Sequence, residues 1–303
     1  MQEIRLKARA KINLSLDVVR RRKDGYHEVR MVMQTVDLYD ELTIRKREEP
    51  GIKITTNAAD IPVNEDNLIY KAAKMMIQSY EIQQGIDIYL EKVIPVAAGM
   101  AGGSTDAAAA FAGINELFEL QVPKEELMKM AVKIGADVPY CILGGTALSE
   151  GIGEILTPLP DPPQCCLVIA KPDIYVSTKY VYENLRANEL KHHPDIDAMV
   201  TSIKDKNLKK MAQLMENVLE KVTVSEYPII EEIKDTMKRC GALNALMSGS
   251  GPTVFGIFES RENADKAKAV IVQNNLAKQT FVSAFSYNNQ NEDVWMDKQA
   301  DRS

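Results

Sequence analysis

Apolar and polar residues alternate along several parts of the chain, and this alternation predicts β-strands. The first such segment is 3–19, EIRLKARAKINLSLDVV, which carries the pattern over much of its length. Further strands are expected at 40–48, 51–58, 85–94, 144–159 (strand, turn, strand), 165–172, 242–260 (strand, glycine turn, strand) and 277–287.

Helical spacing of apolar residues separates these strands. It predicts helices at 67–81, after the glycine loop at 94–103, at 124–135 and at 261–275, with amphipathic helical segments at 193–222 and 227–241. The mixture of strands and helices predicts an α+β fold.

A proline-rich segment, PLPDPPQ at 158–164, is the clearest linker signal because four of its seven residues are proline. We therefore predict one domain at 1–157 and a second at 158–287. The polar, acidic segment 288–303 is predicted to be a disordered tail.

Composition narrows the class of protein. The 303 residues are 45% hydrophobic and 26% charged, as in ordinary globular proteins, and the net charge of −6 argues against nucleic-acid binding. No apolar run approaches the ~18 residues that span a membrane, and the charged N-terminus is unlike a signal peptide, so we expect a cytoplasmic protein. Cys141, Cys165, Cys166 and Cys240 form no CxxC pair and are expected to be reduced and mostly buried.

The most informative stretch is IPVAAGMAGGSTDAAAA at 94–110, where small residues precede an alanine-rich helix. A helix N-terminus presents unpaired N–H groups, and small residues let a phosphate approach them. Ser104 is expected to cap the helix, with Asp106 in its first turn. The hydroxyls of Ser104 and Thr105 are candidates to bind phosphate or a metal ion. The spacing fits neither a Walker A motif nor G-x-G-x-x-G, and a ligand-free turn is the alternative.

Two other stretches add to this picture. MSGSGPTVFGIF at 247–258 places a second glycine-rich turn between strands, and its alternative interpretation is a simple hairpin. RAKINLSLDVVRRRKDGYHEVR at 9–30 places Lys11 and Asn13 in a strand before a basic cluster, 20–23, and the turn DGYH. A solvated charge run is the alternative here.

These three stretches, in this order, resemble the GHMP kinases, the small-molecule kinases named for galactose, homoserine, mevalonate and phosphomevalonate. The resemblance covers about residues 5–285. It implies a two-domain fold, with an N-terminal ATP-binding domain that resembles domain 2 of ribosomal protein S5 and a C-terminal α/β-sandwich domain. The motif DGYHE is similar to a branch of the family whose substrate is a cytidyl diphosphate sugar alcohol.

The resemblance implies an ATP site that lacks a Walker A lysine, with Mg²⁺ accompanying the nucleotide. It assigns ATP binding to Pro95, Val96, Ala97, Ala98, Gly99, Met100, Ala101, Gly102, Gly103, Ser104 and Thr105, with Asn67 and Lys92 near the adenine. Ser104 is also the candidate metal contact. The alternatives for Asn67 and Lys92 are a helix cap and a strand-end lysine. Ala97, Ala98 and Ala101 replace glycines that are common in the family, and alanine fits there only if φ stays negative.

Asp137, in GADVPY, matches the family's catalytic carboxylate and would accept the proton of the substrate hydroxyl. Lys11 matches the adjacent lysine, which would keep Asp137 ionised and offset negative charge on the transferred group. Taken without the family, Asp137 could cap a helix before Pro139, and Lys11 could be an ordinary strand lysine.

Tyr26 and His27 match the residues that hold the cytosine in this branch, and Asn13 is expected to touch the substrate. Tyr182 is the candidate for a second aromatic face, with Tyr180 as its rival. The glycine turn at 248–251 is expected to shape the site.

Several functions remain open at this stage. A mevalonate- or homoserine-type kinase is the near alternative, although those substrates offer no base to stack. A catalytically inactive nucleotide-binding protein is the alternative from another class, and a Rossmann dehydrogenase is excluded by the absence of its motif. The expected partner is a small-molecule substrate, and the sequence leaves monomer and homodimer open.

Overall fold

A computed structural model describes residues 2–287, so the predicted tail at 288–303 lies outside the described residues. The strands are β1 (Glu3–Arg21), β2 (His27–Arg47), β3 (Ile52–Thr56), β4 (Gly85–Glu91), β5 (Thr146–Glu150), β6 (Ile155–Leu159), β7 (Cys166–Lys171), β8 (Asn244–Met247), β9 (Val254–Phe258) and β10 (Gln279–Ala284). The α-helices are α1 (Leu68–Ser79), α2 (Gly102–Leu117), α3 (Lys124–Ala131), α4 (Val138–Leu143), α5 (Thr178–Asn184), α6 (Ile196–Lys204), α7 (Leu208–Gln213), α8 (Glu220–Glu226), α9 (Ile229–Arg239) and α10 (Arg261–Gln273).

The N-terminal sheet has six strands in the order β3-β4-β2-β5-β6, with β1 paired to β2. All its pairs are antiparallel except β3 with β4. The long hairpin of β1 and β2 is its centre, and α2 packs on that hairpin, with α1 and α4 packed in turn against α2. The alanine-rich α2 can lie close to the strands because its inner side chains are small.

Register shifts interrupt β1 between Arg9 and Lys11 and again between Asn13 and Ser15. Before the first shift the even-numbered residues face the helix-covered core, and between the shifts Ala10, Ile12 and Leu14 join a second core instead. At the first shift β2 runs from Tyr39 to Thr35 while β1 runs only from Arg9 to Lys11. Such an irregularity in the pairing lets alternating side chains exchange the two faces of a strand. Lys11 and Asn13 are thereby turned to the side of the sheet that the helices cover.

The C-terminal sheet has the order β10-β7-β9-β8 and is antiparallel throughout. One face packs against α9 and α10. The opposite face joins the second core, where Leu167, Ile169 and Phe255 meet Ile12 and Leu14 of β1. The two domains therefore share a core, which explains why the middle of β1 is buried on both faces.

Three features add detail to the sequence-based expectations. The predicted boundary at 157/158 falls inside β6, because Pro158 pairs with Ala147 on an edge strand, where a missing N–H is tolerated. The predicted strand at 40–48 is the end of the 21-residue β2. The amphipathic segment 193–222 contains α6, α7 and the start of α8, separated by turns.

Among residues 2–287, no helix is both long and apolar enough to cross a membrane. The four cysteines are free thiols; Cys141 and Cys240 are buried, and Cys165 and Cys166 are half-buried.

Candidate active site

Lys11 and Asp137 form the centre of the candidate site. The Lys11 side chain is 6% exposed, and its Nζ lies 3.9 Å from Oδ2 of Asp137. Lys11 also donates to the amide oxygen of Asn13 at 2.8 Å. Asn13 itself is fully buried, so in this structure it orients the lysine, and its direct contact with substrate stays a prediction.

Asp137 occupies the N-cap position of α4, but its side chain makes no capping hydrogen bond. About a third of that side chain is exposed, and its neighbour is a buried cation. The capping alternative therefore does not account for the carboxylate. A partly exposed carboxylate held beside a buried ammonium group can accept a proton from a bound hydroxyl.

The glycine-rich loop lies beside this pair, because the backbone N–H of Lys11 donates to the carbonyl of Met100 at 3.2 Å. Helix α2 begins at Gly102, and its N-cap residue, Ala101, supplies no side-chain cap. The predicted cap at Ser104 is therefore wrong: this residue is the third of the helix, and Asp106 is the fifth rather than a first-turn residue. The uncapped N–H groups at the start of α2 remain available to an anion.

Two alanines of the loop adopt the left-handed conformation, with φ of 50° at Ala97 and 57° at Ala101. The condition of a negative φ, under which alanine replaces glycine without strain, is therefore not met at these two positions. The left-handed conformation costs alanine about 1–2 kcal/mol per residue, so the surrounding structure must hold the loop in this shape.

The two loop hydroxyls differ in their surroundings. Thr105 is fully buried, and its hydroxyl donates to the carbonyl of Arg9 at 2.7 Å. This bond commits the hydroxyl proton to β1, and a contact of the Thr105 oxygen with phosphate or a metal ion stays a prediction. Ser104 is half-buried and remains the candidate hydroxyl.

The C-terminal glycine turn packs directly on the loop. Ser248 donates its hydroxyl to the carbonyl of Gly99 at 3.0 Å. A Cβ on Gly99, whose φ is 73°, would lie 2.2 Å from the backbone oxygen of Ser248, so only glycine fits there. The turn thus fixes the shape of the loop from the other domain.

A cavity of about 210 Å³ adjoins the start of α2 and collects many of the predicted nucleotide-binding residues. Its lining includes Asn67, Lys92, Pro95, Val96, Ala97, Gly102 and Gly103. A larger depression of about 530 Å³ lies on the outer face of the N-terminal sheet, among Arg5, Thr43 and Lys53, and contains no predicted site residue. The smaller cavity is therefore the candidate nucleotide pocket.

Asn67 and Lys92 line this cavity, but the contacts that their side chains make are structural. Asn67 caps α1, accepting from the N–H of Ile69 at 2.8 Å and donating to the carbonyl of Pro62 at 2.6 Å. The ammonium group of Lys92 is buried between the carboxylates of Asp40 and Asp106. A contact of either side chain with adenine stays a prediction.

The DGYH segment is the turn between β1 and β2, and it places an aromatic pair near Asp137. The rings of His27 and Tyr182 lie 5.2 Å apart between centroids. Burial raises the pKa of Tyr182 well above its ordinary value, and the nearby Asp137 carboxylate adds to this effect. Tyr26, also in the turn, is 61% exposed, and an exposed aromatic face can stack on a planar ligand.

Tyr180, the rival of Tyr182, belongs to another environment. It is exposed, and its hydroxyl bonds the carboxylate of Glu226 on α8. Tyr182, two residues further along α5, packs against His27. The geometry therefore favours Tyr182 as the second aromatic face.

Sequence reasoning missed two buried residues that support the site. Asn217 donates from Nδ2 to the carbonyls of Met247 and Gly249, each at 2.8 Å, and so holds the glycine turn. Asp40, fully buried on β2, binds the segment that leads into the phosphate loop. The sequence indicates them only weakly, because each is a single polar residue inside an otherwise regular apolar pattern.

This arrangement of a glycine loop at a helix N-terminus and a lysine–carboxylate pair defines a small-molecule phosphotransferase. Two family models agree: GHMP kinases N terminal domain matches residues 67–145, and GHMP kinases C terminal matches residues 199–278. The chain belongs to the GHMP kinase family, whose members are ATP-dependent phosphotransferases.

Curated relatives of about 50% identity carry the name 4-diphosphocytidyl-2-C-methyl-D-erythritol kinase. The protein of that name from Lachnospira eligens is 56% identical over 93% of this chain and 98% of its own. The one from Lachnoclostridium phytofermentans is 54% identical over 94% and 98%. A crystal structure of a 4-(cytidine 5'-diphospho)-2C-methyl-D-erythritol kinase matches with a TM-score of 0.81 and 30% identity, covering 93% of this chain and 99% of that one.

The left-handed alanines give a direct test of loop strain. Ala101→Gly should leave the free energy of unfolding unchanged or raise it by about 1 kcal/mol, because relief of strain outweighs the extra entropy of the unfolded glycine. Ala98→Gly, at a neighbouring buried alanine without positive φ, should lower it by about 0.5–1 kcal/mol. Urea unfolding measures both, and equal destabilisation by the two variants would contradict the strain.

His27 should titrate below the ordinary value of 6.5, because burial lowers its pKa and the positive charge of Arg21 adds to this. The folded state therefore favours neutral His27, and this contribution to stability is lost as the pH falls through the folded-state pKa. Proton NMR of the ring, assigned with a His27→Gln variant, measures the midpoint. Arg21→Gln should move it upward. A midpoint at or above 6.5 would contradict the predicted lowering of the His27 pKa.

Proposed function

We propose that this protein transfers the γ-phosphoryl group of ATP to the 2-hydroxyl of 4-diphosphocytidyl-2-C-methyl-D-erythritol, giving the 2-phosphate and ADP. The reaction belongs to the non-mevalonate pathway of isoprenoid precursor biosynthesis. The names of the relatives at 54–56% identity over most of the chain support the substrate.

The observation that carries the proposal is the convergence of three groups near the middle of β1. Lys11 bonds the phosphate loop through its backbone and faces Asp137 through its side chain. Asp137 in turn lies close enough to Tyr182 to affect its pKa, and Tyr182 packs on His27. Groups suited to a nucleotide phosphate, a reacting hydroxyl and an aromatic base therefore lie near one another, which supports the proposal.

The residues present suggest how the transfer proceeds. Asp137 accepts the proton of the 2-hydroxyl as that oxygen attacks the γ-phosphorus. Lys11 offsets the negative charge of the transferred group. The N–H groups at the start of α2 hold the phosphates that remain on ADP.

Mg²⁺ is part of this proposal. Within residues 2–287 no group of three or more His, Cys, Asp or Glu side chains is placed to hold a metal, so phosphate and water oxygens would supply most of its ligands. Ser104 would be the protein's contribution. When bound, the ion neutralises charge on the phosphates.

Cytosine recognition would distinguish the substrate from others used in the family. Tyr26 and Tyr182 supply aromatic faces, and His27 supplies a hydrogen-bonding edge. Mevalonate and homoserine offer no base for these groups. Structural likeness to a homoserine kinase from Cytophaga hutchinsonii, at a TM-score of 0.76 and 22% identity, concerns the fold alone.

The experiment that tests the function is ADP release with ATP and Mg²⁺ against four acceptors. These are 4-diphosphocytidyl-2-C-methyl-D-erythritol, methylerythritol without the cytidyl group, mevalonate and homoserine. We expect turnover with the first alone. Turnover with mevalonate or homoserine instead would overturn the substrate, and ATP binding without turnover on any acceptor would favour an inactive nucleotide-binding protein.

Asp137→Asn should lower kcat by about 10²–10⁴-fold, because the amide cannot accept the hydroxyl proton. Stability should change little, since the carboxylate caps no helix. Asp235→Asn, at an exposed carboxylate on α9, is the control and should keep wild-type turnover. An Asp137→Asn protein as active as the wild type would end the catalytic assignment.

Tyr182→Leu should raise KM for the cytidyl substrate by about fivefold or more, because stacking on a base contributes about 1–3 kcal/mol. Tyr180→Leu, on the same helix, should leave this KM within twofold. Steady-state kinetics at saturating ATP compares the two. The opposite ranking would assign the cytosine to Tyr180.

A further inference from the structure

A buried ion triad underlies the phosphate loop. The ammonium group of Lys92 bonds Oδ2 of Asp40 and, at 2.7 Å, Oδ2 of Asp106. The side chains of all three residues are at most 6% exposed. None of the three is needed for the phosphoryl transfer described above.

Asp40 holds the entrance of the loop. Its Oδ1 accepts from the backbone N–H groups of Val93, at 2.6 Å, and Ile94, at 2.8 Å. These two residues directly precede Pro95, where the predicted nucleotide-binding segment begins. One carboxylate on β2 therefore fixes the chain just before it turns into the loop.

Lys92 extends the same anchor to the exit of the loop. Asp106 lies in α2 only four residues after its start, and its Oδ2 is bound by Lys92. A Cβ added to Gly102 would lie 3.0 Å from the ammonium nitrogen, so Lys92 also lies directly beneath the first residue of that helix. Both ends of the segment 93–106 are thus held to one point on the central sheet.

The electrostatics fit an anchor rather than a ligand contact. Burial opposes the charged form of Lys92, but attraction to Asp106 and Asp40 outweighs it and raises the pKa of the lysine. Lys92 is therefore cationic and bound by Asp40 and Asp106, while burial raises the pKa of the Asp106 carboxyl and the charge of Lys92 opposes that rise. Buried ion groups of this kind often add little net stability relative to apolar residues, so a role in positioning is the better explanation.

Backbone strain in the loop explains why the loop needs to be held at both ends. Ala97 and Ala101 hold left-handed conformations that alanine disfavours, and such residues persist only where their surroundings over-determine them. Ala101 is also the residue at which the loop becomes α2. A loop free at either end would relax, and its N–H groups would no longer converge on one anion.

We propose that Asp40, Lys92 and Asp106 are positioning residues that hold the phosphate loop in its ATP-binding shape, and that Lys92 acts through this triad rather than by contact with adenine. The inference rests on the proposed ATP-dependent function, which it deepens. It assigns the residues a role in nucleotide affinity, not in the acceptance of the substrate proton.

Two variants test the triad. Lys92→Met removes the cation, and Asp40→Asn keeps an oxygen for Val93 and Ile94 but places an amide where the carboxylate bound Lys92. Both should raise KM for ATP by tenfold or more and leave KM for the cytidyl substrate within threefold. The KM of the double variant for ATP should be no higher than that of the more impaired single variant, since the two residues act as one unit.

Ile86→Ala is the matched control, because Ile86 is fully buried on β4, the strand that leads to Lys92, and contacts no predicted ligand. It should lose stability in urea and keep the wild-type KM for ATP. A purely structural triad predicts that all three variants lose stability with no change in KM for ATP, and that result would overturn the proposal.

A direct contact of Lys92 with the nucleotide predicts a different pattern, which would also overturn the proposal. Lys92→Met would then weaken ATP binding, while Asp40→Asn would not, because Asp40 lies beneath the loop. Calorimetric titration of each folded variant with ATP and no acceptor measures this separately from turnover. A wild type that binds ATP but phosphorylates no cytidyl substrate would refute the proposed function and leave this test intact.

Discussion

The chemistry of this protein depends on the register of one strand. Two shifts in the pairing of β1 with β2 enclose Lys11 and Asn13 and turn them to the side of the sheet that carries α2 and α4. Without the first shift, the period of two would direct Lys11 to the opposite face, away from Asp137. In the same segment the backbone N–H of Lys11 bonds the carbonyl of Met100, so β1 holds both the lysine and the phosphate loop.

A second constraint comes from the C-terminal domain. Its glycine turn meets Gly99 so closely that a side chain there would overlap the backbone of Ser248. Asn217 holds that turn, and the adjacent backbone of Glu216 and Val218 bonds Leu16 of β1. The loop that would bind ATP is therefore shaped by both domains, which explains why they share a core instead of being joined by a free hinge.

Much of the site could be predicted from sequence because its signals are local. The small residues before α2, the DGYH turn and the Asp137 segment each combine residue types that suit one chemical task. The details that the sequence did not reveal depend on tertiary context: the start of α2 two residues before Ser104, the left-handed alanines, and the Thr105 hydroxyl bound to Arg9. The burial of Lys92 between two carboxylates could not be foreseen either, because Asp40 is 52 residues away in the chain.

The most direct measurement of the central claim is a crystal structure with a non-hydrolysable ATP analogue and 4-diphosphocytidyl-2-C-methyl-D-erythritol bound together. We expect the 2-hydroxyl oxygen about 2.6–3.2 Å from a carboxylate oxygen of Asp137, with the γ-phosphate at the start of α2 and the cytosine against Tyr182 and His27. A complex with the 2-hydroxyl more than about 5 Å from Asp137, or with the cytosine elsewhere, would contradict the account.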